Sequence, residues 1–210
     1  MKNIVTKTVF KMILVVVIAI ALVFATVSLA LPQSMATMFE NMGIYSFATG
    51  YAGLAYKYSR TVESLARCVD DSIFAKDEAN VINYGDKLVA RDDFKEYSEQ
   101  RTKEDIERAK EDGVDMQNYS YYHFVYSNLA CAKYSRGDKD GALETAKVSM
   151  QDVSDFPENN AFGALAIRAV KNLDYKLAIE IYREIIQKTP TAEQTKYYNS
   201  VLEILIIHEN

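Results

Sequence analysis

Residues 162–190 read FGALAIRAVKNLDYKLAIEIYREIIQKTP. Phe162, Leu165 and Ala166 recur at i, i+3 and i+4, the spacing of one helical face. Asp174-Tyr175 interrupts the pattern as a turn. Ala178 and Tyr182 then stand four residues apart on a second helix, and Pro190, which cannot continue a helix, stops it. The unit is a helix–turn–helix pair. Small residues let its helices approach, and aromatics fill the space beside them.

A second unit begins 36 residues upstream with Tyr126, Leu129 and Ala130. It turns at Gly137-Asp138 and continues through Ala142 and Ala146, its closing proline displaced to Pro157. Weaker matches lie further back. Val81-x2-Tyr84-Gly85-x2-Leu88 followed by Asp93-Phe94 is one, and Tyr51-x2-Leu54-Ala55-x2-Tyr58 is the first half of another. This pattern resembles the tetratricopeptide repeat: aromatic-x2-Leu-Gly-x2-Tyr, then Ala-x3-Phe, then Pro. The chain departs from it with Ala166 for the glycine and Ala169 for the tyrosine. The resemblance is clearest over residues 124–190. It implies an all-α fold, a stack of antiparallel helix pairs, because one pair cannot bury its apolar face alone. The alternative is an unrelated α-helical bundle.

The rest of the chain is helical in pattern too. Residues 35–58 read as one long helix, or two with a break near Gly43; residues 60–75, 78–90 and 92–112 follow, the last so charged that most of it faces water. Gly113 ends that helix, and Asn118 and Ser120 are candidate caps for the next, which runs to about Arg136. Further helices are expected over 141–150, 161–171, 175–187 and 192–207, with a loop at 154–160. Thr191 to Asn210 is the candidate closing helix of the stack, though its last turn is apolar nearly all round.

Residues 12–31, MILVVVIAIALVFATVSLAL, contain no charge, amide or imidazole. At about 1.5 Å rise per residue they span roughly the ~30 Å hydrocarbon core of a bilayer. Lys2, Lys7 and Lys11 precede the run, and no acid appears before Glu40. Positive charge beside a span stays cytoplasmic, so residues 1–11 are expected inside, 12–31 as a signal anchor across the membrane, and 32–210 as an extracytoplasmic domain. A cleaved signal peptide is the competing reading: Ser28-Leu29-Ala30 and Ser34-Met35-Ala36 both offer small residues at the positions a signal peptidase reads. A third reading is an organelle membrane with the domain in the cytosol.

The chain has 24 basic and 29 acidic residues. Without the three leading lysines the domain carries 21 against the same 29, a net of −8, which argues against a nucleic-acid surface. Cys68 and Cys131 read as buried free thiols rather than a disulfide framework. The two histidines, His123 and His208, stand in no metal-ligand spacing, and no nucleophile elbow or phosphate loop occurs. No catalytic residue, metal site or cofactor is expected. Asp70-Asp71, Asp92-Asp93 and Glu111-Asp112 read as solvated charge. Fifteen tyrosines are the one compositional excess. The cluster at Tyr119, Tyr121, Tyr122, Phe124 and Tyr126 either lines a groove or fills the spaces between helix pairs.

In the family the chain resembles, the first helix of each pair lines a concave groove. Those positions here are Tyr56, Arg60, Ile82, Asp86, Phe124, Ser127, Cys131, Tyr134, Ile167 and Lys171. Apolar and aromatic residues dominate, and the lysine–asparagine cluster that clamps a C-terminal carboxylate is missing. The resemblance therefore implies a protein or peptide partner held in apolar pockets at the membrane surface: a scaffold, assembly factor or chaperone-like accessory. The rival expectation is a cell-envelope enzyme whose carboxylates are brought together by the fold; a deep cleft holding two acids would favour it.

Overall fold

The computed structural model describes residues 2–116, 118–150, 160–188 and 191–209, with backbone alone for residues 2–8. Among the described residues there are eleven helices and no strand.

Helix α1 (Lys2–Ala30) carries the apolar run, and Val9–Ala30 is long and apolar enough to cross a membrane, with a mean hydropathy of 3.0. Only 6% of that stretch is buried against the rest of the chain. Length and composition of this kind are shared by anchors and signal sequences. Pro32 does more than end the run. It opens α2 (Pro32–Asn41) in the first helical turn, where the missing N–H was unsatisfied anyway. Tyr51 then donates a hydrogen bond to Ser28 Oγ at 3.2 Å, tying the end of α1 to α3 (Tyr45–Ser59).

The break near Gly43 is real: that residue has φ +70° between α2 and α3. Helix α4 (Val62–Phe74) is capped by Thr61 and α5 (Glu78–Val89) by Asp77, each side chain accepting from a backbone N–H in the first turn. Helix α6 (Phe94–Glu111) buries only Phe94, Ser98 and Ala109, as its charge demands, and Gly113 follows it at φ +73°. Ser120 caps α7 (Tyr121–Ser135), Asp138 caps α8 (Lys139–Ser149) and Asn160 caps α9 (Ala161–Lys171). Helices α10 (Tyr175–Lys188) and α11 (Ala192–Glu209) complete the chain. The displaced Pro157 and Pro190 lie outside the described residues.

Packing is largely sequential. Helix α3 lies between α2 and α4, and α5 packs on α4 and α7. Beyond that, α7 touches both α8 and α9, α8 also touches α9, and α10 packs on α9 and α11. Equivalent positions of the two clear sequence units are equally buried. Tyr126 and Phe162, Leu129 and Leu165, Ala130 and Ala166, and Ala142 and Ala178 all belong to the interior. Close approach of α5 and α7 explains Gly85, where a Cβ would stand 3.1 Å from Leu129 Cδ1.

The tyrosine cluster fills space between helices. Tyr121 and Tyr126 are core residues, and Tyr119, Tyr122 and Phe124 are half-buried against the same core. The closing helix is less polar than a cap requires: Tyr197, Ile204 and Ile207 are exposed on α11.

Leu173 sits at the α9–α10 turn with φ +59° and is 71% exposed. A left-handed residue with a Cβ costs about 1–2 kcal/mol, and glycine avoids that cost. Leu173→Gly is expected to raise the denaturation midpoint, a gain of up to about 1 kcal/mol after the extra unfolded-state entropy of glycine. A lowered midpoint would show that this turn is held by the leucine side chain.

Candidate functional site

A cleft of about 570 Å³ lies between α2, α3, α4 and α6. Two helical faces build its charged walls. On α4, Arg67, Asp70, Asp71 and Phe74 recur at i, i+3, i+4 and i+7; on α6, Tyr97, Gln100, Arg101 and Glu104 do the same. Gln33 and Glu40 from α2 and Tyr45 from α3 close the other side. Gln33 stands three residues after the last residue of α1, so the cleft opens beside the end of the apolar helix.

The expectation of solvated acids fails for one pair. Asp71 is 2% exposed, and the Asp70 side chain retains 16% of its surface. The reason is that α4 packs against α3, α5 and α6 at once. Its apolar face of Leu65, Ala66 and Val69 is buried, and its charged face is covered as well. Asp92, Asp93, Glu111 and Asp112 are exposed, as read from the sequence.

The buried charges have partners, and the Asp71 carboxyl is hydrogen-bonded to that of Glu40. Arg67 Nε donates to Glu40 at 2.6 Å and its Nη2 to Thr37 Oγ1 at 2.6 Å. Arg101 Nε lies 3.0 Å from both carboxylate oxygens of Asp105, and its Nη2 is 3.9 Å from Asp70. Tyr121 Oη donates to Asp70 Oδ1 at 2.8 Å. Asp71 Oδ2 is buried and accepts no hydrogen bond. Burial pushes Asp70 up to about 7, against the pull of Tyr121 and Arg101. Burial, and then the negative charge of Glu40, push Asp71 up to about 8. Burial likewise pushes the neighbouring Cys68 thiol up to about 12, which makes it inert.

None of the ten groove positions taken from the resemblance lines this cleft. Tyr56, Ile82, Phe124 and Ser127 are half-buried, and Arg60, Ile167 and Lys171 are exposed. Asp86 pairs with Lys133 at 2.7 Å. Tyr134 is buried, and its hydroxyl donates to Asp174 at 3.2 Å. Cys131 is half-buried and lines a smaller pocket of about 370 Å³ with Ile73, Asn128 and Arg168, and no disulfide joins it to Cys68. Of the ten, Tyr56 alone contacts both core clusters, the second of which lies behind the cleft.

Among the described residues no group of three or more His, Cys, Asp or Glu side chains is arranged to hold a metal ion. Neither the protein-family models nor the curated proteins give a match to this chain. Sequence reasoning missed the cleft because it judged the acids one pair at a time. The signal was present in the coincidence of charge and helical period at 67/70/71/74 and 97/100/101/104.

Proposed function

We propose that this protein is a single-pass, membrane-anchored interaction module whose helical domain holds a protein partner at the membrane surface. The observation that carries this reading is α1: an apolar helix with almost none of its surface covered, joined to a domain that has a complete core of its own. Its length and apolar surface suit a bilayer. The lysines before it favour a cytoplasmic N-terminus and an extracytoplasmic domain. The triangle formed by α7, α8 and α9, repeated in part by α9 and α10, supports a tetratricopeptide-like stack, an architecture suited to a scaffold, assembly factor or chaperone-like accessory. A cleaved-signal, secreted form of the same domain is the alternative if α1 is removed.

Carbonate extraction should leave the chain in the membrane pellet, and external protease should digest the domain in spheroplasts. A mature N-terminus at Leu31 or Thr37 would replace the anchor with a cleaved signal. A photo-crosslinker at Ile167, exposed on α9, should capture one defined partner that a crosslinker at Glu180 on α10 does not. Equal, diffuse labelling from both positions would sink the interaction reading.

The acids in the cleft favour a second reading, an envelope enzyme using fold-assembled carboxylates. General acids and bases work best near the operating pH, where Asp70 and Asp71 are held. Turnover of a cell-envelope fraction by the wild type, and none by the Asp70→Asn/Asp71→Asn double variant, would establish it.

A further inference from the structure

We propose that the α2–α3 hairpin lies in the interfacial layer of the bilayer, its exposed apolar face set among lipid headgroups at the C-terminal end of α1. The domain then rests on the membrane as well as being tethered to it. This rests on α1 spanning a bilayer, as read above, and adds a second, lateral contact with lipid.

Charge singles out this part of the surface. A quarter of the chain's residues are charged, yet Glu40 is the one charged residue between Lys11 and Lys57. Arg67 Nε holds Glu40 at 2.6 Å, so that charge too is compensated. Beyond α1 this stretch forms α2 and most of α3. Met42 is 61% exposed and Phe47 60%, and Leu31 and Met38 are exposed with them. Scattered apolar residues on a surface are ordinary, but these belong to one face. Met38 and Met42 stand one turn apart on α2. Phe39 stacks on Phe47 with ring centroids 5.3 Å apart and on Tyr51 with centroids 5.5 Å apart, so a row of three rings joins the two helices.

The hydrogen bond from Tyr51 to Ser28 sets the depth of that row. Ser28 is the one buried side chain among those described on α1, and it stands two residues before the end of the helix. Two residues are about 3 Å of rise. A bilayer crossed by Val9–Ala30 therefore has its border between hydrocarbon and headgroups beside Ser28. The rings leading from Tyr51 to Phe47 are held next to that border. Aromatic side chains and the apolar faces of surface-lying helices settle there, about 5–10 Å into the boundary between headgroups and acyl chains.

A helix that reaches a membrane from solution is drawn to anionic lipid by lysines and arginines on its polar face. No basic residue lies between Lys11 and Lys57. None is needed, because α1 carries the face to the surface and keeps its local concentration high. The contact is made by apolar area, so it is indifferent to headgroup charge and to salt.

The chain contains no tryptophan, so a single introduced one reports its own surroundings. Phe47→Trp and Met42→Trp place it on the face, Ile20→Trp in the middle of α1, and Glu144→Trp on the exposed side of α8. Each full-length variant is placed in phosphatidylcholine nanodiscs, where both sides of the bilayer are open to water. Lipid brominated near the glycerol end of its chains should lower the emission of Phe47→Trp and Met42→Trp at least twofold, and lipid brominated near the chain ends should quench them less. Ile20→Trp should show the reverse order. Aqueous acrylamide should quench Glu144→Trp at least threefold more strongly than either face variant. Added phosphatidylglycerol or salt should leave these results unchanged. If brominated lipid quenches Ile20→Trp but misses either face variant, the face is outside the interface and the anchor reading survives. If Ile20→Trp is missed as well, the anchor reading fails and takes the interfacial contact with it. Shielding from acrylamide without quenching by lipid would mean that a second copy of the chain covers the face, which overturns lipid as the occupant.

Discussion

Denaturation of the full chain in detergent should show a stability that falls as pH rises from about 4 to about 8. Asp70 and Asp71 are responsible. In the unfolded chain each ionises near the ordinary aspartate value of about 3.9. In the fold, burial holds their protons until about 7 and about 8. Between those limits the folded protein binds more protons than the unfolded one, so raising the pH favours unfolding. The contribution is fully present below the unfolded value and is lost as pH climbs through the folded one. For Asp70 the displacement of roughly three units corresponds to about 4 kcal/mol, and Asp71 adds in the same direction. Asp174, held low by Lys139 although burial opposes it, acts oppositely: its stabilisation is present above the ordinary value and fades in stronger acid. The informative quantity is the difference between variant and wild type. Asp70→Asn keeps an oxygen to accept from Tyr121 and removes the charge. It should flatten the profile, leaving the variant more stable than wild type at pH 9. A wild-type stability that is constant or rising from pH 5 to 8, with Asp70→Asn tracking it, would overturn the assignment of buried, proton-bearing acids.

Helix positions and types were legible because hydrophobic period, caps and glycines agreed with one another. Ser120, read as a candidate cap, caps α7, and Thr61, Asp77, Asp138 and Asn160, not read as caps, do the same for α4, α5, α8 and α9. Gly43 and Gly113 stand where the backbone takes positive φ. Three other such positions carry Arg60, Lys76 and Leu173, so no glycine marked them. The ends of elements after the apolar run shifted by one to three residues, as helix ends do. The cleft was not legible in the same way. A charged residue on a helix ordinarily faces water, and only the packing of α4 against three neighbours puts Asp70 and Asp71 inside. Burial on that face depends on how α2 and α6 fold back over α4, a long-range outcome that local pattern does not encode. The groove positions carried over by resemblance depend on the phase of the repeat. Tyr134 shows the consequence, for a residue read as groove-lining is covered by the next helix pair and bonded to Asp174.

Phe162→Ala should lower stability by about 3–5 kcal/mol, the usual cost of deleting a buried aromatic side chain and leaving its cavity. Phe162 is 1% exposed in the first turn of α9, and its own N–H is held by the Asn160 cap at 2.9 Å. Around it lie Leu165 and Ala166 on the same helix and the apolar face of α10, with Ala178 fully buried. Lys188 Nζ stands 5.8 Å from the ring centroid, a minor further loss at the end of α10. The manner of unfolding distinguishes a repeat stack from one undivided core. If α9, α10 and α11 depend chiefly on their nearest neighbours, the variant should lose them first, giving an early urea transition with about a quarter of the helical signal and a reduced slope in the main one. Far-UV circular dichroism suits the measurement, since the chain contains no tryptophan. Tyr126→Ala, at the equivalent place in α7, should instead destabilise helices on both sides of it and shift a single transition. Loss of less than about 1 kcal/mol for Phe162→Ala would show that α9 does not seat on a packed interior. Identical single transitions for the two variants would favour an undivided bundle over stacked pairs.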